Sequence, residues 1–294
     1  MTSRRRTALF VPAAHPRALA KSAGLDADAL IFDLEDSAGP AEKDAARERL
    51  RDHLAGRPPL DRAGRPEIVV RINPLAGPFG TEDLLMARAV LPDAILVPKV
   101  ESPEGLAEVS AALAETDPPR RIALWAMIET PRGLIEAARI ASVGASLSSP
   151  LRVLVVGPND LVSTLGLRPS PGRAELVPHL ASVVLAARAH GLDALDGVFN
   201  RLDDAAALEA EALQARGLGF TGKTLIHPAQ IAPTLRGFAP TPPEIAEAEA
   251  IVSAFAAPEA ADRGVVSLGG RMVERLHLDA ARRLLSDRAD DRGA

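Results

Sequence analysis

The chain has 294 residues, of which 47% are hydrophobic and 25% charged, and its net charge is −5. This is an ordinary globular mixture with ample material for a core, and its acidic balance speaks against a broad nucleic-acid-binding face. With no cysteine, disulfides, thiolate catalysis and cysteine-type zinc sites are excluded, and no stretch approaches the ~20 apolar residues of a membrane helix.

The N-terminus, MTSRRRTALFVPAAHP, imitates a secretion signal, but its apolar run is too short and Pro12 interrupts it. It reads as a first strand at 7–11 of a cytoplasmic protein, preceded by a solvated basic tail of Arg4, Arg5 and Arg6. A helix is expected at 16–22, a strand at 29–33, and a helix at 41–54 with Glu42, Lys43, Arg47 and Arg51 on its polar side. After a loop rich in Pro, Gly and Arg (56–66) come a strand at 68–72, a helix at 82–90 capped by Thr81, and a strand at 94–98. The next helix, 103–115, has Ser102 as N-cap and Pro103 at its first position. A strand at 122–128 leads to a helix at 131–141 capped by Thr130. A strand at 151–156 precedes a helix at 178–190 ended by Gly191. A short strand near 192–195, a helix at 203–216 followed by Gly217, and a strand around 220–225 complete the series.

Eight β/α units predict a (β/α)8 TIM barrel. The rival, a doubly wound open sheet, usually carries a Gly-rich phosphate loop after its first strand, and none is present. A helix at 242–255, a looser stretch and a last helix at 272–285 form a C-terminal helical extension. The expected division is a catalytic barrel at 1–240 and a segment at 241–294 that packs on the barrel or on a neighbouring subunit.

In such a barrel the residues that end the strands converge on one mouth. Here they are Asp33, Glu35 and Asp36 of IFDLED, Arg71 of VVRIN, Lys99 of LVPK, Glu129 of MIET and Asp160 of VVGPND. Glu129 and Asp160 suit a Mg2+ site of two carboxylates plus water, or else cap the helices that follow. Glu35 and Asp36 suit a second layer around metal-bound waters, or a solvated loop. Arg71 is placed to clamp a carboxylate through two hydrogen bonds, or to form an internal salt bridge with Asp33 or Glu35. Lys99 reads as an electrostatic partner. His227 sits after the last barrel strand, where loops often shape a phosphate site, and more simply sets the loop conformation. Arg17 and Lys21, four apart on one helix, share a face suited to a phosphorylated ligand.

Taken in order, IFDLEDSAGPAEK, VVRIN, LVPKVES, WAMIETPRGL, GPNDL, LDGVFN, GFTGKTLIHPAQ and GRMVE resemble the citrate lyase β-subunit and malyl-CoA lyase family of Mg2+-dependent barrel aldolases. The resemblance runs from LFVPA at residue 9 to the MVERLHLDAARRLL segment at residue 272 onward. It implies cleavage of a CoA thioester of the citryl-CoA or malyl-CoA type into acetyl-CoA and a 2-oxo acid. It also implies Glu129 and Asp160 as direct Mg2+ ligands and Glu35 and Asp36 as water-mediated supports. Arg71 would bind the substrate, and Arg17, Lys21 and His227 would surround CoA. Asp196 and Lys223 match family positions without an assigned role. The general base of related enzymes is an Asp from a neighbouring subunit, and Glu274 stands at the matching position, so the implied catalytic set is Arg71, Asp33 and Glu274. On residues alone, Glu274 pairs with Arg271 or Arg275 on a helix. The resemblance further implies a homo-oligomer, a trimer or a multiple of one. Two other readings stand beside it: condensation followed by thioester hydrolysis on the same site, of the malate synthase or malyl-CoA thioesterase type, and a non-catalytic subunit that binds CoA or an oxo acid within a larger lyase complex.

Overall fold

Runs such as ALIF and LVV, apolar at every position, mark strands covered on both faces, and the computed structural model arranges them accordingly. The structure describes residues 5–55, 65–115, 121–146, 149–257 and 263–291. Arg4 and positions 56–64 of the Pro/Gly/Arg-rich loop lie outside them.

The chain alternates β1 (Thr7–Pro12), α1 (Pro16–Ser22), β2 (Ala29–Asp33), α2 (Lys43–Ala55), β3 (Glu67–Arg71), α3 (Gly80–Val90), β4 (Ala94–Val97) and α4 (Pro103–Ala114). It continues through β5 (Ala123–Ile128), α5 (Pro131–Ser142), β6 (Leu151–Val156), α6 (Pro158–Leu165), α7 (Val177–Ala189), β7 (Asp193–Asp196), α8 (Ala205–Leu218), β8 (Gly222–Leu225) and α9 (Ile231–Phe238). The strands β1 to β8 pair in order, all parallel, and β1 closes on β8 with Thr7 opposite Lys223. The fold is the expected (β/α)8 TIM barrel.

Alternate side chains of each strand separate into two apolar sets. Ala8, Ile31, Val69, Leu96, Trp125, Val153 and Leu195 fill the interior, while Leu9, Phe32, Val70, Ile95, Leu124 and Leu154 belong to the layer beneath the helices. Register then decides what meets at the mouth. Asp33 and Arg71, the last residues of β2 and β3, are direct Cα partners.

Several expectations change. The helix after β3 starts at Gly80, with Phe79 at the N-cap position and no side-chain cap, so Thr81 is not the cap. The helix after β7 runs through Gly217 and stops at Gly219, which adopts φ 99° as its left-handed C-cap. Two short helices, α6 and α9, are additions. Lys43 is not a solvated residue of a polar face: it is 6% exposed, and its ammonium donates to the carbonyls of Leu34 and Glu35 and to Asn73 Oδ1. Arg5 is no loose tail. Its guanidinium meets Glu67 at 2.7 Å and Asp193 at 2.6 Å, at the N-terminal ends of β3 and β7, and lies 5.6 Å from the Trp125 ring centroid. It stoppers the barrel at the end opposite the mouth.

Contacts divide the chain into units of residues 1–238 and 239–294. The second contains α10 (Pro242–Ala256), β9 (Val265–Leu268), β10 (Arg271–Glu274) and α11 (Arg275–Asp291). A full capping box opens α10, Thr241 with Glu244. Ile251, Phe255, Val273 and Leu278 form its own small core. The extension is therefore not purely helical. Gly269 and Gly270, at φ 56° and 77°, supply the two left-handed residues of a tight hairpin turn. Residues 272–274, expected as the start of the last helix, are strand paired with β9. Glu274 ends that strand, so its pairing with Arg271 or Arg275 along a helix does not occur.

Candidate active site

Five carboxylates and two cations meet at the C-terminal mouth. Arg71, 6% exposed, is the hub. Its Nε and one terminal nitrogen donate to the two oxygens of Asp33 at 2.7 and 2.8 Å, and it forms ion pairs with Glu35 and Asp36 at 3.1 Å each. The internal salt bridge is thus realised, with the fork-on-carboxylate geometry that only Arg provides. Burial alone would lower the guanidinium pKa, but the Asp33 hydrogen bonds and the charges of Asp33, Glu35 and Asp36 raise it above its ordinary value. The Phe10 ring lies 4.8 Å away.

Asp33 is fully engaged. Besides Arg71, its oxygens accept the backbone N–H groups of Glu35 at 2.9 Å and Ser37 at 3.0 Å. The turn after β2 is thereby folded so that Glu35 points inward while Asp36 stays 67% exposed. From below, Lys43 holds the carbonyls of Leu34 and Glu35, and Asn73 donates to the Leu34 carbonyl at 2.8 Å. Glu35 meets Lys99 Nζ at 2.5 Å. Burial raises the Glu35 pKa, although Arg71 and Lys99 oppose this. Burial pulls the Lys99 pKa down, yet its hydrogen bond to Glu35 and the charges of Glu35, Glu129 and Asp160 raise it overall.

Glu129 follows β5 directly and is 2% exposed. One carboxylate oxygen accepts the backbone N–H of Lys99 at 2.8 Å. Lys99 presents that N–H from a left-handed backbone, φ 48°, an unusual conformation for a residue with a long side chain. On the other side stands Gly157, where a Cβ would lie 2.5 Å from both Cβ and Oε2 of Glu129. Thr130 caps α5 through Gly133 N, so the cap is the neighbour of Glu129 and not Glu129 itself. Burial first, then repulsion from Glu35 and Asp160, raise the Glu129 pKa to about 7. Asp160 lies in the first turn of α6 rather than at a strand end, and its carboxylate has no hydrogen bond to a described residue.

A pocket of about 290 Å3 opens among these groups, lined by Asp33, Asp36, Arg71, Glu129 and Asp160 over an apolar wall that includes Phe10, Met127, Val156 and Ile226. Ser37 and Asn159 also line it. Neither stood out in the sequence, because a Ser or Asn in a loop carries no periodic or charge signal. The buried Lys43–Asn73 support was hidden because Lys43 has a polar helix neighbourhood.

The donor set fits a small divalent cation. Negative charge exceeds positive at the mouth, and Glu129 is held in a site where ionisation is opposed unless a cation arrives. Among the described residues no third His, Cys, Asp or Glu completes a metal cluster. Two carboxylates with room for water and substrate match the preference of Mg2+.

Among the remaining sequence candidates in the barrel, Arg17, Lys21 and His227 do not line this pocket. Arg17 and Lys21 are exposed on α1, which follows β1 and so begins at the mouth end. His227 is exposed after β8, and its Nδ1 accepts the Ala229 N–H at 3.1 Å, which shapes the loop. Glu274 belongs to the second unit, half-buried at the end of β10. No helix among the described residues is long and apolar enough to cross a membrane.

Comparison with known proteins agrees with this architecture. A (3S)-malyl-CoA thioesterase of Cereibacter sphaeroides is 41% identical over 281 residues, covering 96% of this chain and 93% of the relative. The citrate lyase subunit beta of Escherichia coli is 34% identical over 290 residues, covering 97% and 93%. Among solved structures, CitE of Mycobacterium tuberculosis, in complex with magnesium, acetoacetate and coenzyme A, matches with a TM-score of 0.78 at 31% identity, covering 97% of this chain and 98% of that one. Residues 6–228 match the family described as HpcH/HpaI aldolase/citrate lyase. The barrel, its acidic mouth and these relatives together make the chain a member of the HpcH/HpaI aldolase/citrate lyase family.

Proposed function

We propose that this chain is a Mg2+-dependent enzyme acting on a CoA thioester of the malyl-CoA or citryl-CoA type, breaking the bond between the thioester's α-carbon and the hydroxyl-bearing carbon. The observation that carries this reading is the pair Glu129 and Asp160 beside Arg71, in one pocket with an excess of carboxylates. Relatives named for malyl-CoA and citrate chemistry support the substrate class, as does the magnesium, acetoacetate and coenzyme A complex of the structural neighbour.

Glu129 and Asp160 would hold the ion, with Glu35 and Asp36 orienting its waters. Bound there, magnesium would supply a Lewis acid to the oxygen that becomes the 2-oxo group. Arg71, kept cationic and aimed by Asp33, offsets negative charge on the same acid. Asp33, with both oxygens occupied, acts by holding Arg71. In the cleavage direction the substrate hydroxyl passes its proton to a carboxylate base, its electrons form the 2-oxo carbonyl, and the broken carbon–carbon pair becomes a thioester enolate. Protonation of that enolate yields acetyl-CoA. Glu274, supplied by a neighbouring copy, is the candidate to exchange that proton. Arg17, Lys21 and the segment at His227 are the candidates to receive CoA.

A second reading is hydrolysis of the thioester on the same site, favoured by the 41% identity to a (3S)-malyl-CoA thioesterase. A panel of malyl-, citryl- and citramalyl-CoA, assayed with Mg2+ and with EDTA, separates the two. Carbon–carbon cleavage releases a 2-oxo acid and no free thiol; hydrolysis releases free CoA thiol and no 2-oxo acid. If neither product forms from any of the three with Mg2+ present, the proposal fails.

A further inference from the structure

Four ionisable side chains are packed together on the β7–β8 side of the barrel, and none of them lines the pocket. Asp196 and Lys223, direct Cα partners, are each 0% exposed, and Arg173 is 6% exposed. The three N–H groups of Lys223 are all used: on Asp196 Oδ2 at 2.7 Å, Glu211 Oε1 at 2.7 Å and the Gly197 carbonyl at 2.5 Å. Arg173 donates to the other Asp196 oxygen at 2.8 Å. The Thr224 hydroxyl donates to the Asp196 carbonyl at 3.2 Å. Burying so many charges is a poor route to stability, because apolar groups of equal volume often do as well or better. What the network does supply is a fixed path for the backbone at 196 and 197, where both carbonyls are gripped.

That path abuts the metal-site helix. A Cβ on Gly197 would stand 2.0 Å from Pro158 Cδ and 2.6 Å from the Val156 carbonyl. Asn200 donates to Asn159 Oδ1 at 2.7 Å and accepts from it at 3.4 Å. Pro158, Asn159 and Asp160 are the first three residues of α6. With no hydrogen bond to a described residue to aim it, the Asp160 carboxylate takes its position from that turn.

We infer that Lys223 and Asp196 are positioning residues for Asp160: they clamp the segment 196–200 against the first turn of α6 and so hold Asp160 where it and Glu129 can share a divalent cation. This rests on the metal reading above. The test uses Lys223→Met, Asp196→Asn and Asn200→Ala, with Glu129→Ala as control. Mn2+ affinity is read by electron paramagnetic resonance, and amide hydrogen exchange at residues 157–161 is followed in the metal-free protein. Each folded variant should bind Mn2+ about tenfold more weakly and exchange faster over 157–161, with CoA affinity at the parental value. Asn200 is exposed, so Asn200→Ala carries the test if the network variants do not fold. Parental Mn2+ affinity and exchange in Asn200→Ala and in every folded network variant, with Glu129→Ala losing Mn2+, would overturn the positioning role alone. A parent that binds no Mn2+, or a Glu129→Ala variant that binds it normally, would remove the metal reading and this inference together.

Discussion

Glu129 concentrates the chemistry of the mouth in one carboxyl group. Its pKa, raised from 4.5 to about 7, corresponds to on the order of 3 kcal/mol favouring the protonated form. An acid whose folded pKa is raised binds more protons folded than unfolded, so the metal-free chain loses stability as pH rises between those two values. Glu35, shifted in the same direction by burial, adds to this. Asp196 is buried, yet Lys223 and Arg173 lower its pKa below the usual 3.8, so its opposite contribution is lost only in stronger acid. Thermal melts in EDTA should therefore show the midpoint falling from pH 4.5 to 7 and levelling above. Added Mg2+ should raise the midpoint increasingly over the same interval, since ligation needs the deprotonated form. A Mg2+ effect independent of pH would contradict this. Glu129→Ala and Asp160→Ala should each abolish Mg2+-dependent turnover in a chain that still folds, as checked by circular dichroism and product assay. Arg71→Lys keeps the charge but not the fork on Asp33, and should lower kcat/KM by about 100-fold. The acidic run and Arg71 are visible in the sequence, but which carboxylate occupies Arg71 follows from the register of β2 against β3.

At the scale of elements, capping and turn chemistry were largely legible. Ser102 and Thr130 accept from the N–H groups of Gly105 and Gly133 as their positions suggested. Where the structure departs from the sequence pattern, the causes are local. The stretch PNDLVSTL is a short helix whose start is fixed by Pro158. Its eight residues are too few for a periodic signal, so the sequence pattern alone places Asp160 at a strand end. The hairpin β9–β10 was hidden because Met272 and Val273 fit a helical pattern as well as a strand, and pairing across Gly269–Gly270 decides between them. Gly157 leaves no room beside Glu129: a Cβ there would lie 2.5 Å from the Glu129 Cβ. Gly157→Ala should cost about 1–3 kcal/mol in urea unfolding and should also weaken Mg2+ binding by calorimetry, because the added methyl displaces Glu129, the proposed ligand. Loss of stability with unchanged Mg2+ affinity would show that the Glu129 seat tolerates the shift.

For the whole molecule, the two ends of the barrel divide the work. At the closed end, Arg5 joins Glu67 and Asp193 beneath Trp125. Residues at this face of a barrel serve stability, while chemistry resides at the other. Arg5→Met should lower the unfolding free energy by about 3 kcal/mol and leave kcat unchanged at a temperature where the variant is folded. A kcat loss without destabilisation would contradict that division. The second unit carries Glu274 beside exposed Met272 and Leu276. If it serves a neighbouring barrel, light scattering should find a trimer or a multiple of one, and a fully active monomer would end that proposal.

The amino-acid order by itself determined the barrel, because eight apolar runs separated by helical periods have few other ways to bury both faces of every strand. It also identified the acids and the Arg at the strand ends, since the C-terminal ends of barrel strands converge on the mouth. Only the tertiary structure decided that Asp33 secures Arg71, that Lys43 and Lys223 are buried structural cations, and that Glu129 sits against a glycine from the next unit of the barrel. Those outcomes depend on strand register and on contacts between distant segments. Local periodicity carries no trace of either.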